Sequence, residues 1–237
     1  MLAAATVRSA FGFGEALIAV PLLALILPVR VAAPVAVLAS ILVAACVVLE
    51  DWRHIHLRSA GRLIVSTLLG LPLGLLLLKR GDEAVVKSVL GAAIVVFSAS
   101  SLLGRRRPQL QDDRFAWLFG LVAGIFGGAY GMNGPPLVVY GSLRGWTPVK
   151  FRATLQAYFL PASAAGMCGY WLAGLWTRTV DRLFLWSLPS IVAGLLIGRL
   201  IHRRIEAGRF TRVLHAGLAA IGLALLVQAA RGAMAGR

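Results

Sequence analysis

The chain has 237 residues, 59% of them hydrophobic and 14% charged, with a mean hydropathy of +0.84. A soluble domain of this length carries roughly 45–50% apolar and about 25% charged residues, so the composition excludes an ordinary soluble globule and indicates a membrane protein. The net charge of +15 does not imply nucleic acid: the 24 Lys and Arg residues sit almost wholly in short breaks between apolar runs, such as "RHIHLR", "RRRPQ" and "HRRIEAGR", where topology and lipid headgroups account for them.

Eight apolar runs are read as membrane segments, over about 1–27, 31–49, 62–78, 84–103, 115–141, 149–174, 182–201 and 210–229. Most approach the ~20 residues needed to cross ~30 Å of hydrocarbon at ~1.5 Å per residue. Several are short, so tilted, discontinuous or re-entrant pieces are expected. The first run starts "MLAAATVRSAFGFGEAL", without the charged start and small-residue cleavage site of a signal peptide. Within it, Glu15 is the only carboxylate well inside an apolar segment, with Arg8 seven residues earlier. Intramembrane carboxylates often carry protons, which makes Glu15 a coupling candidate. An unbroken helix would put Arg8 on the same face and make the two a structural ion pair instead.

After the second run, "EDWRHIH" is read as a solvated loop and not a metal site, because no matching ligand set occurs elsewhere. Cys46 and Cys168 lie in apolar runs with no CxxC and are expected to be buried packing thiols. No nucleophile-elbow, P-loop or zincin motif occurs, and no cofactor is implied.

The fifth run contains "GGAYGMNGPPLVVYG" (127–141). In hydrocarbon each unpaired backbone group is costly, so irregular backbone survives at depth only where protein or a water-filled cavity supplies partners. Pro135 and Pro136 cannot donate hydrogen bonds and push the preceding residues from helical dihedrals, yet Pro is welcome in a first helical turn. The expected geometry is a stop near Gly128–Gly131, a short extended stretch and a new helix at Pro135. A helix start presents free N–H groups and about half a positive charge. Gly131 and Gly134 let a ligand approach, and Asn133 adds an amide donor or N-cap oxygen. Together these form an anion-binding arrangement; a kinked helix held by its neighbours is the plainer alternative. In the sixth run Arg152, Gln156, Phe159/Leu160 and Ser163 recur at helical spacing. Arg152 suits either a two-pronged clamp on a sulfonate or a headgroup contact, and Gln156 needs partners at depth.

Residues 10–40 align with 128–158: Gly14 falls opposite Gly131, Pro28 opposite Pro148 and Arg30 opposite Lys150. Further on, "GLPLG" (Gly70, Gly74) matches "GLLIG" (Gly194, Gly198), pairs assigned to close helix packing. The first half carries a weaker form of the break in "FGFGEALIAVP", with Gly12 and Gly14 ahead of Pro21. The fold expected is an all-α polytopic membrane protein of about eight segments in two repeated four-segment halves, 1–104 and 115–237. The polar linker 105–114 joins them, and helices break at the repeat motifs. Such paired breaks point to a transporter's central site.

"GIFGGAYGMNGPPLVVY" and "FGFGEALIAVPLL", on a duplicated chain of this length, resemble the TauE/SafE family of membrane transporters, also called the sulfite exporter or TSUP family. The likeness covers nearly the whole chain. It implies transport, often export, of sulfur-containing anions such as sulfite, sulfoacetate and taurine-related sulfonates. One departure is Glu15–Ala16, where relatives often continue with Gly, which lowers the expected symmetry of the two half-sites.

The expectation is therefore a multi-pass transporter of the cell (inner) membrane, not an enzyme, that holds a small organosulfur or sulfur-oxyanion near the midplane and works by alternating access. The site is assigned to Gly12, Gly14, Gly128, Gly131, Asn133, Gly134, Pro135, Arg152 and Gln156, with Glu15 and Arg8 as the coupling pair. Partners are the small anion and the lipid bilayer, with no nucleic acid; a homo-oligomer is compatible. The alternatives are a small-anion channel, a membrane-embedded enzyme and an assembly subunit.

Overall fold

The structure, a computed structural model, describes the backbone of residues 1–11, 14–51, 57–102, 110, 112–146, 148–202 and 218–231. Gly12 and linker residues 105–109 lie outside the described residues, as do the side chains of Cys46, Arg152 and Gln156. All regular structure among the described residues is helical: α1 (Leu2–Phe11), α2 (Glu15–Ala24), α3 (Val29–Asp51), α4 (Leu57–Arg80), α5 (Glu83–Leu102), α6 (Ala116–Tyr130), α7 (Gly134–Leu143), α8 (Pro148–Leu172), α9 (Arg178–His202) and α10 (Leu218–Arg231). A single 3₁₀ turn, Asp113–Phe115, precedes α6.

Three of these helices are long and apolar enough to cross a membrane, over Ala60–Arg80, Glu83–Ser100 and Arg178–Gly198. Their outer faces carry exposed Leu69, Leu73, Val96, Leu185 and Leu196, side chains that water would penalise and acyl chains would cover. The short helices sit inside. α2 buries Leu17, Ile18, Val20 and Ala24 among α3, α5 and the residues around Tyr130 and leaves Leu22 exposed.

Glycine sets the closest helix contacts. A Cβ at Gly70 or Gly74 of α4 would run into the carbonyl oxygens of Leu121 or Ile125 on α6. On α9, a Cβ at Gly194 would lie 2.7 Å from the Leu2 carbonyl oxygen, and one at Gly198 2.6 Å from that of Thr6, both on α1. Both pairs therefore serve packing, as their spacing implies. The resulting main pairings are α4 with α6, α1 with α9, and α3 with α8. Arg30 of α3 closes the end of α4, donating from Nε to the Leu78 carbonyl and from Nη2 to that of Gly81, both at 2.9 Å. It thereby meets terminal acceptors that have no intrahelical partner.

One expectation changes. Cys168 is exposed and is not a core thiol, because α8 and the facing Leu71, Pro72 and Leu75 of α4 leave an apolar groove open between them, and the thiol lies in it. Arg8 lies in the buried interior beside Glu15, Ser40 of α3 and Phe159 of α8.

Candidate functional site

Both expected breaks are present. α1 ends at Phe11 and α2 starts at Glu15, behind Gly14 at φ 97°. α6 ends at Tyr130, and Gly131 at φ 66° turns the chain before α7 begins at Gly134, one residue earlier than the prolines suggest. Positive φ is cheap only for glycine among L-residues, so Gly14 and Gly131 are where the chain can turn out of its helix. A Cβ at Gly131 would in addition meet Val37 Cγ2 at 2.6 Å.

The two breaks meet. A cavity of about 20 Å³ is lined by Gly14 and Glu15 from the first, by Gly131, Asn133, Gly134 and Pro135 from the second, and by Arg8. Ser40 of α3 and Phe159 and Ser163 of α8 complete the wall. Of the residues assigned from sequence, Gly128 falls elsewhere: it packs against the backbone of Leu71 and Leu75 on α4. Its role is helix packing, the same as its α4 partners.

The open backbone donors are not distributed as expected. Pro135 and Pro136 occupy two of the first three positions of α7, leaving the Gly134 N–H as the donor of that turn. α2 starts without proline at Glu15, Ala16 and Leu17, and the first bond of its described backbone runs from Ile18 N to the Gly14 carbonyl at 3.2 Å. All three residues line the cavity. The Glu15 carboxylate shares that end of the helix.

Arg8 and Glu15, 2% and 1% exposed, face each other across the cavity, with Arg8 Nη1 at 3.3 Å from Glu15 Oε2 and 2.6 Å from Ser40 Oγ. The guanidinium lies 5.0 Å from the centroid of the Phe159 ring, a cation–π distance. The Asn133 amide makes no cap bond to its own helix. Its Nδ2 donates to the Tyr158 hydroxyl at 3.4 Å. Tyr158 pairs with Thr67 Oγ1 at 2.7 Å, and Thr67 donates to the Gly120 carbonyl at 2.8 Å. With Thr67 committed to Gly120, the Tyr158 proton points to Thr67, so the chain runs one way from the amide to α6.

Gly127 makes room for this arrangement, since a Cβ there would meet Asn133 Oδ1 at 2.8 Å and Cγ at 3.0 Å. Sequence reasoning did not assign Ser40, Tyr158 or Gly127. Small hydroxyls inside apolar runs were the available signal for Ser40, the glycine-rich stretch that starts at 127 was the signal for Gly127, and nothing local marked Tyr158.

A helical membrane protein with a charged, buried cavity where two broken helices converge is the class these features define. The chain belongs to the TauE/SafE family: the model described as "Sulfite exporter TauE/SafE" matches residues 1–225. It is accordingly a membrane transporter of that family and not an enzyme. It is similar to the probable sulfite/organosulfonate exporter TauE of Cupriavidus necator (strain H16), with 24% identity over 210 residues covering 85% of this chain and 80% of that one. No solved structure matches the chain significantly.

Proposed function

We propose that this protein exports a small organosulfur or sulfur-oxyanion across the cell (inner) membrane, binding it near the midplane between the two helix breaks and passing it by alternating access. The observation that carries this reading is the cavity shared by both breaks, which holds the one buried guanidinium among the described residues. Open N–H groups at two helix starts, the Asn133 amide and Arg8 would replace the hydration shell of an oxyanion. The substrate named for the Cupriavidus relative, sulfite or an organosulfonate, fits those donors.

At about 20 Å³ the cavity admits roughly one water, so it must open to load an oxyanion. The helix pairings support rocking of two halves, 1–104 against 115–237 across the linker 105–114. The third long segment of each half (α4, α9) clasps the first segment of the other (α6, α1), and α3 faces α8.

A thermal-shift panel on purified protein tests the assignment, using sulfite, thiosulfate, taurine, sulfoacetate, isethionate and plain carboxylates. Sulfur-oxyanions should stabilise the protein, and Asn133→Ala and Gly134→Val should each weaken that effect. A Cβ at 134 would meet Phe159 Cζ at an ordinary 3.9 Å, so the first atom of the valine side chain fits beside the site. Unchanged affinity in both variants removes the site.

A further inference from the structure

The pair formed by Arg8 and Glu15 is incompletely matched. One guanidinium nitrogen serves both Glu15 and Ser40, while Arg8 Nε and Nη2 and Glu15 Oε1 are buried without a hydrogen-bond partner. A guanidinium and a carboxylate held for stability favour two parallel bonds, and each buried polar atom left unmet is costly. Here the contact is single and 3.3 Å long. The unused Nε–Nη2 edge is the part of an arginine that fits two oxygens of an oxyanion.

We infer that Arg8 is the counter-ion of the transported anion and that Glu15 yields it by protonation, so that one proton accompanies each anion. This rests on the function proposed above. The oxyanion takes the guanidinium edge, and Glu15 takes one proton from water as its contact with Arg8 is lost; no other bond forms or breaks. Glu15 and an oxyanion compete for the same guanidinium, so the two exchange places as the site opens to load. Phe159, 5.0 Å from the guanidinium, keeps Arg8 in position during the exchange.

Charge balance sets the stoichiometry. Arg8 and Glu15 sum to zero, and a bound monoanion alone would leave one net negative charge at depth. Among the described residues the lining from α2, α3, α8 and the α6–α7 break adds no further ionisable side chain, and the Met1 amino group attracts Glu15 more weakly than Arg8 does. One proton restores neutrality. A dianion would still leave a charge, so monoanionic sulfonates and hydrogen sulfite are preferred over dianions. Net flux then follows the product of anion and proton concentrations, so the anion leaves once its inside-to-outside ratio exceeds the outside-to-inside ratio of protons.

Isothermal calorimetry on the purified protein, in buffers of different ionisation enthalpy, counts the protons taken up as isethionate binds. Wild type should take up one proton per isethionate above the pH at which free Glu15 protonates, with affinity rising about tenfold per unit fall in pH. Glu15→Gln should take up none and bind independently of pH, and sulfoacetate should bind wild type more weakly than isethionate. Isethionate binding to wild type without proton uptake, or uptake that persists in Glu15→Gln, overturns the coupling while leaving the site in place. Wild-type protein that binds neither isethionate nor sulfite overturns the functional reading itself, and the coupling with it.

Discussion

Gly127→Ala separates the site from the scaffold. In α6 the added Cβ would meet three atoms of one group, the Asn133 amide, at 2.8, 3.0 and 3.1 Å. That group is the free end of a side chain, so it swings away and the backbone stays. Replacing glycine by alanine in a helix gains ~0.5–1 kcal/mol. Losing the Asn133–Tyr158 bond, already long at 3.4 Å, costs about 1 kcal/mol. Stability should therefore change by less than about 1 kcal/mol, a shift of roughly 2–4 °C at most. Affinity should respond more. A hydrogen bond to a charged ligand is worth about 1.5–3 kcal/mol, so displacing the amide should raise the Kd for isethionate roughly ten- to a hundredfold. Unfolding followed by tryptophan fluorescence, with and without isethionate, reads both quantities. Gly74→Ala is the contrast: its Cβ runs into the Ile125 carbonyl oxygen and meets Ala129 N at 2.7 Å, backbone atoms that cannot rotate aside. It should lose ~1–3 kcal/mol of stability. Wild-type affinity in Gly127→Ala would refute Asn133 as a ligand, and destabilisation equal to that of Gly74→Ala would refute the geometry of the break.

Two further outcomes follow from the packing and the buried pair. Arg8→Leu leaves the Glu15 carboxylate alone in the interior and should cost about 3–5 kcal/mol, while Arg8→Leu with Glu15→Leu should recover most of it; chemical unfolding of both variants decides, and equal losses would contradict a coupled pair. Gly198→Ala should weaken the fold by pressing on Thr6 and Ser9 of α1, whereas Gly61→Ala, with no atom within 4 Å of the new methyl, should gain ~0.5–1 kcal/mol in the same assay.

The breaks were legible because glycine and proline act on their own backbone. "FGFG" and "GMNGPP" interrupt apolar helices whatever surrounds them, and the chain turns at Gly14 and Gly131. The glycine pairs of α4 and α9 were legible for a similar reason, since four-residue spacing alone defines a smooth helical face. Their partners were not, because which helix lies across Gly198 depends on the whole fold. The relative strength of the breaks also escaped sequence reading: proline signals a helix start clearly, but it removes the N–H groups that make a start useful to an anion. The less conspicuous break before Glu15 has no proline in its first turn. Arg8 read either as a coupling residue or as half of an ion pair, and only the tertiary packing of α1 with α3 and α8 puts it beside Ser40, Phe159 and the second break. Tyr158 and Gly127 act through Asn133, a contact that no local pattern encodes.

Counterflow in proteoliposomes tests the central claim most directly. Vesicles loaded with unlabelled isethionate or sulfite should draw in the labelled anion by saturable exchange, and Asn133→Ala should raise the concentration needed for half saturation. Flux that rises linearly with concentration and ignores the internal anion, or no flux of either anion, would contradict an alternating-access carrier built on these two breaks.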